Sequence, residues 1–92
     1  MPRYFLHVRD GDHLQRDEEG EQFRDVEAAR GEALAIAREM WAEALRDRDD
    51  RDYLDAVILI TDRQDREVLS VSFVEALPPR LRSGLASAGR GM

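Results

Sequence analysis

The 92 residues suffice for one small domain, and 42% hydrophobic and 37% charged residues with a net charge of −6 indicate a globular chain with a highly charged surface. Cysteine is absent, which excludes disulfides, thiolate chemistry and a disulfide-stabilised secreted scaffold. The longest apolar run, residues 56–60, is too short to cross a bilayer, and no signal-peptide pattern is present, so we expect a cytoplasmic protein.

A β-hairpin is predicted at the N-terminus. Residues 3–9 alternate with the period of a strand, and Asp-Gly in residues 10–12 is typical of a tight hairpin turn. The returning strand, residues 13–16, has Leu14 as its only apolar residue, and a second, acidic turn follows at residues 17–20.

One long helix is predicted to begin at Val26 and to run for about 20 residues. Asp25 is the predicted N-cap, because its carboxylate can accept hydrogen bonds from the free amides of the first turn. Trp41 lies on the flank of the apolar stripe and is expected to cover the rim of the core. The stripe itself follows helical spacing: Val26, Ala29, Ala33, Ala37, Met40 and Ala44.

Two further strands are predicted after the charged loop at residues 47–52. Residues 53–61 are apolar on both sides, which is typical of a central or doubly covered strand. Residues 67–74 alternate, with serines facing one side and large apolar residues facing the other. The chain thus predicts a folded domain over residues 1–76.

The remaining residues, 77–92, differ in composition. They contain Arg80, Arg82 and Arg90, no acidic residue, and many Gly, Ala and Ser residues after a Pro-Pro pair. We predict a flexible basic tail with a net charge of +3, whereas residues 1–76 carry 11 arginines and 20 acids, a net charge of −9.

The element order β-β-α-β-β predicts an α+β fold with two layers. A helical crossover between strands two and three, together with two hairpins, gives a four-stranded antiparallel sheet in the order 2-1-3-4 with the helix on one face. The other face would hold either Val57 and Leu59 or Ala56, Ile58 and Ile60 from the third strand. We favour the first pair, which gives this predicted interface: Phe5, His7, Val57, Leu59, Ser70 and Ser72.

This helix-free face is too apolar to be left in water, so a homodimer is predicted, or else a tail that folds back over it. The leading hypothesis is a non-enzymatic module that binds itself and possibly another protein. One alternative is a regulator that contacts nucleic acid, although an acidic chain repels phosphates. A second alternative is a small-ligand or catalytic site around His7, using the hydroxyl of Ser70 or Ser72. We recognise no catalytic, metal-binding or cofactor motif.

Three segments carry a resemblance to a known family: residues 3–11, 17–20 and 25–33. Over about residues 2–75 the chain resembles a family of short bacterial proteins, common in alphaproteobacteria, that is catalogued as a domain of unknown function. The resemblance implies a shared fold and no specific chemistry. A weaker similarity, at the level of the fold, is to HicB-type antitoxin domains, which combine a short sheet, an acidic turn with glycine and an Ala/Glu-rich helix.

Overall fold

The computed structural model describes residues 1–46 and 53–77. These residues form one α-helix packed on an antiparallel sheet of five strands, which confirms the predicted α+β class. In chain order the elements are β1 (Arg3–Asp10), β2 (His13–Gln15), β3 (Glu21–Gln22), α1 (Val26–Arg46), β4 (Val57–Thr61), β5 (Glu67–Ser72) and a 3₁₀-helix (Phe73–Ala76).

The sheet has the order β2-β1-β4-β5, and β3 also pairs with β1. Strand β2 pairs with residues 8–10 of β1 and β3 pairs with residues 3–4. Between these pairings the amide of Leu6 points to the same edge, where it donates to Asp17 Oδ2 at 3.1 Å. Both short strands therefore lie along the edge of β1 opposite β4, separated by the loop of residues 16–20.

The prediction of four strands was incomplete. Strand β3 was missed because Glu21 and Gln22 are both polar and exposed, so no alternation marks them. The third predicted strand also begins later, at Val57, because residues 53–56 form a turn in which the amide of Ala56 donates to the Tyr53 carbonyl at 3.1 Å. The last predicted strand ends at Ser72, where the 3₁₀-helix starts.

Small side chains bring α1 close to the sheet. The amide of Ala28 donates to Asp25 Oδ1 at 2.8 Å, which confirms the predicted N-cap. The buried side of the helix consists almost entirely of alanine, and the sheet contributes larger branched side chains that are fully buried. The buried alanines are Ala29, Ala33, Ala37 and Ala44, and the sheet residues are Ile58, Ile60 and Val71.

An aromatic cluster joins the end of α1 to the chain on either side of β4 and β5. The ring of Trp41 meets that of Tyr53 edge-on at 5.3 Å, and Tyr53 contacts Phe73 at 5.2 Å. Trp41 Nε1 also donates to the buried carbonyl of Phe73 at 2.9 Å. Trp41 is only 8% exposed and therefore belongs to the core. The sequence-based expectation that it covers the rim was wrong.

A bulge interrupts the pairing between β4 and β5. In the β4–β5 pairing Ile60 lies opposite Leu69 and Thr61 lies opposite Glu67, which leaves Val68 as a bulge on the outer strand.

After the 3₁₀-helix, Leu77 is buried in the core although the sequence assigned it to the tail. Residues 78–92 lie outside the described part. Within that part, no helix has the length and apolarity needed to span a membrane.

Replacing Trp41 with Phe tests the aromatic cluster. Trp41→Phe removes the indole donor and some buried volume, leaving the Phe73 carbonyl unpaired, so the free energy of unfolding should fall by about 2–4 kcal/mol. Urea denaturation of both chains measures this difference. Leu45→Ala, on the exposed side of the same helix, should change stability by less than about 0.5 kcal/mol and serves as the control. Equal losses in the two variants would contradict the assignment.

Candidate functional site

The pairing register places all six predicted interface residues on one face of the sheet. Residues directly opposite each other in antiparallel strands share a face. His7 lies opposite Leu59, which lies opposite Ser70, and Val57 lies opposite Ser72. Phe5 belongs to this helix-free face because it is two residues from His7. The predicted tail residues Arg80, Arg82 and Arg90 lie outside the described residues.

Two further residues of the helix-free face were missed by sequence reasoning. Leu14 lies opposite Arg9, which in turn lies opposite Val57. Leu14 is 41% exposed. It is the only apolar residue of its strand, and this feature of the sequence could have identified it as part of the face. Thr61 lies opposite Phe5 and is buried on the same face, where it binds His7.

His7 is held by hydrogen bonds at both ring nitrogens. The backbone amide of Asp17 donates to Nδ1 at 3.0 Å, and Nε2 lies 2.9 Å from Thr61 Oγ1. Because a backbone N–H can only donate, Nδ1 must accept, and the ring proton therefore resides on Nε2, which donates to the hydroxyl. The fold thus holds the neutral imidazole in one tautomer, with the side chain only 3% exposed.

The surroundings of His7 favour this neutral form. Burial of the ring, reinforced by the positive charge of Arg16, lowers the pKa of His7 from its usual value of 6.5. The carboxylates of Asp17 and Asp65 act in the opposite direction but more weakly. Protonation at Nδ1 would also place two N–H groups against each other and remove the hydrogen bond from the Asp17 amide.

Asp17 anchors the loop that covers this part of the face. One carboxylate oxygen accepts from the amide of Leu6 at 3.1 Å, and the other accepts from the amide of Gly20 at 3.0 Å. Its backbone amide holds His7. Asp17 therefore satisfies an edge amide of β1, closes the loop at residues 16–20 and fixes a side chain on the sheet.

An open cleft of about 280 Å³ lies above Phe5 and His7, between this loop and the turn after β4. Phe5 and His7 stack with an interplanar angle of 5° on its floor. Four acids and two arginines line the cleft, and Arg16 crosses from the loop to Asp65 in the turn at 3.2 Å. The rim is therefore charged, with an excess of negative groups.

The turn itself is organised by Asp62. Its carboxylate accepts from the amides of Gln64 and Arg66 and from Arg66 Nε, at 2.9, 3.0 and 3.0 Å. These contacts, above all the one from the Arg66 amide, lower the pKa of Asp62. Both carboxylate oxygens of Asp62 therefore accept hydrogen bonds within the turn.

The structure does not bring His7 together with either predicted serine. Leu59 stands between His7 and Ser70 in the same cross-strand row. The hydroxyl of Ser72 accepts from the amide of Val74 at 3.3 Å and caps the 3₁₀-helix. Among residues 1–46 and 53–77, no group of three or more His, Cys, Asp or Glu side chains is placed to hold a metal ion.

Gly20 is required where the loop returns to the sheet. Its φ is 68°, and a Cβ atom there would lie 2.7 Å from Phe5 Cε2 and 2.8 Å from the Tyr4 carbonyl oxygen. Both the backbone conformation and the close approach exclude a side chain. The acidic turn with glycine, noticed in the sequence, is therefore the device that lays the loop over Phe5.

Residues 3–74 match a family described as "Domain of unknown function (DUF6894)". The chain belongs to this family. The predicted membership in a family with a domain of unknown function is thus confirmed, and the matched region includes both the helix-free face and the loop anchored by Asp17. No curated protein and no solved structure matches this DUF6894 domain.

Substitution of Gly20 tests the close approach. Gly20→Ala should lower the free energy of unfolding by about 2–5 kcal/mol, because a left-handed conformation and a steric clash are combined. Gly11→Ala is the matched control, since Gly11 has a φ of 63° but no atom within 4 Å of its Cβ position. That control should lose only about 1–2 kcal/mol. Thermal or urea denaturation gives both values, and equal effects would contradict the packing of the loop.

The protonation of His7 should make stability depend on pH. Its pKa is lower in the folded chain than in the unfolded chain, so its contribution is complete above the unfolded value of about 6.5 and is lost as pH falls through the window between the two values. Urea denaturation between about pH 5 and about pH 7.5 should show this loss. In His7→Gln the histidine-dependent part should disappear, whereas in His13→Gln, at an exposed position, it should remain. An NMR titration in which the pKa of His7 is 6.5 or higher would refute the assignment.

Proposed function

We propose that this DUF6894 domain is a non-enzymatic protein-interaction module that forms a homodimer through its helix-free sheet face. The observation that carries the proposal is a set of exposed apolar side chains on that face, which the loop of residues 16–20 does not cover. Leu14 is 41% exposed, and Val57 and Leu59 are partly exposed on the same face, with Arg9 between Leu14 and Val57. Several exposed apolar side chains on one face of a small domain are typical of contact sites.

The distribution of charge on the helix-free face favours a second copy of the chain as the partner. Arg9 lies between Leu14 and Val57 at one end of the face and forms no ion pair with any residue of the described ranges. The cleft with its negative excess lies at the other end, four residues further along β1, or about 13 Å away. A two-fold axis perpendicular to the face near Leu59 would set Arg9 of each protomer against the acidic rim of its partner.

The size of the face sets the expected affinity. Four strands at a spacing of about 4.8 Å and a usable length of about five residues give a projected area of roughly 300 Å² per protomer. The pair would bury roughly 600 Å², which is below the area of stable specific interfaces, so the dimer is a weak, transient one with an expected dissociation constant of about 10–100 µM. The proposed dimer is therefore reversible, and a further protein partner could compete for the same face.

The geometry around His7 supports a non-enzymatic role. Both ring nitrogens are engaged within the fold, at 3.0 and 2.9 Å, so neither is available to a substrate unless the loop is displaced. Catalysis by a histidine requires a nitrogen that can accept or release a proton at the reacting group. The hydroxyls of Ser70 and Ser72 are also out of its reach.

Contact with nucleic acid, suggested by the likeness to HicB-type antitoxin domains, has less support. The net charge of −6 opposes binding to phosphate backbones. The arginines that would contact nucleic acid are few: Arg80, Arg82 and Arg90. Three phosphate contacts give only weak, salt-dependent binding.

Sedimentation analysis over a range from about 5 µM to about 500 µM tests the dimer. The wild-type chain should change from monomer to dimer, and Leu14→Asp should remain monomeric at the highest concentration because it places a charge in the contact. Leu14 is exposed in the protomer, so this variant should keep the wild-type fold, which circular dichroism verifies. Leu45→Asp, at a 57% exposed position on the helix, is the control and should dimerise normally. A wild-type chain that stays monomeric throughout would overturn the proposal.

A further inference from the structure

A second groove lies on the other side of the sheet, between the edge of β1 and the flank of α1. Its volume is about 360 Å³. The floor is apolar and is formed by Leu6 and Val8 of β1 together with Ile36 and Met40 of the helix. It exists because the loop of residues 16–20 separates β2 from β3 and leaves this part of the edge uncovered. We call it the edge groove.

The rim of the edge groove is acidic. Glu19, Glu21 and Glu32 line it, and the groove contains no arginine. Within the described residues, the carboxylates of these three residues form no ion pair and no hydrogen bond. An apolar floor with an unpaired acidic rim favours a ligand that combines apolar and basic side chains.

We propose that the edge groove binds the C-terminal segment of this same chain, residues 78–92. That segment carries three arginines and no acid, and its leucines, Leu81 and Leu85, lie among small residues. The charges of the segment and the rim are complementary, and Leu85, eight residues after Leu77, supplies an apolar side chain for the floor. Residues 1–76 carry a net charge of −9, so intramolecular binding also brings the opposite charges of the chain together.

The length of the segment allows it to reach the groove. The last described residue, Leu77, follows a 3₁₀-helix that is tied to α1 by the ion pair between Glu75 and Arg30 at 3.1 Å. Ile36 lies on the opposite flank of α1, and the path around the exposed side of a helix of about 11 Å diameter is roughly 23 Å. An extended chain covers this distance in about seven residues, so residues 85–92, with Leu85 and Arg90, can lie in the groove.

A spin label on the segment tests the proposal in the full-length chain. Because the chain has no native cysteine, Ser87→Cys can be labelled uniquely with a nitroxide. The label should broaden the amide signals of Val8 and Ile36 in the ¹⁵N-labelled chain, and the broadening should persist when the sample is diluted with unlabelled protein. High salt should reduce it.

Charge-reversal variants supply the controls. Glu21→Lys combined with Glu32→Lys should abolish the broadening, whereas Glu67→Lys, at an exposed position of β5 on the opposite edge of the sheet, should leave it unchanged. Absence of broadening in the wild-type chain would overturn the proposal. Broadening that appears only when the label and the ¹⁵N nuclei are on different molecules would also overturn it, because the occupant would then be a second copy. The experiment is independent of the proposed dimer, which uses the opposite face.

Discussion

The carboxylate of Asp17 determines how the edge of this sheet is built. It replaces a strand as the partner of the Leu6 amide and closes its own loop onto Gly20. A backbone amide at a sheet edge needs a partner, and a side chain that provides one allows the neighbouring strand to leave the ladder for several residues. The strand therefore becomes two short pieces, and the loop between them covers His7 on one face while it opens the edge groove on the other.

Much of the fold follows from local patterns in the sequence. The alternation of β1, the Asp-Gly turn and the N-cap at Asp25 are short-range features, and a helical crossover restricts how the strands can be joined. The pieces that were missed depend on tertiary contacts. Glu21 and Gln22 become a strand only because β1 lies beside them, and residues 53–56 turn because Tyr53 packs between Trp41 and Phe73.

Part of the candidate site could also be predicted from a local pattern in the sequence. The two-residue period of strands places Phe5 and His7 on one face with Val57 and Leu59, once the register is known. The covering of His7 was not predictable, because it depends on the Asp17 amide, which lies ten residues away in a loop whose composition suggests a hydrated turn. The neutral tautomer of His7 follows only from that contact.

The bulge at Val68 has a consequence for the way this domain can assemble. The outer edge of β5 has no strand partner among the described residues, and a regular edge would offer hydrogen bonds to any extended chain. The extra residue interrupts the regular spacing of donors and acceptors along that edge and increases its twist. Edge-to-edge addition of a further strand at β5 is thereby disfavoured, which protects this side of the sheet against growth into fibres.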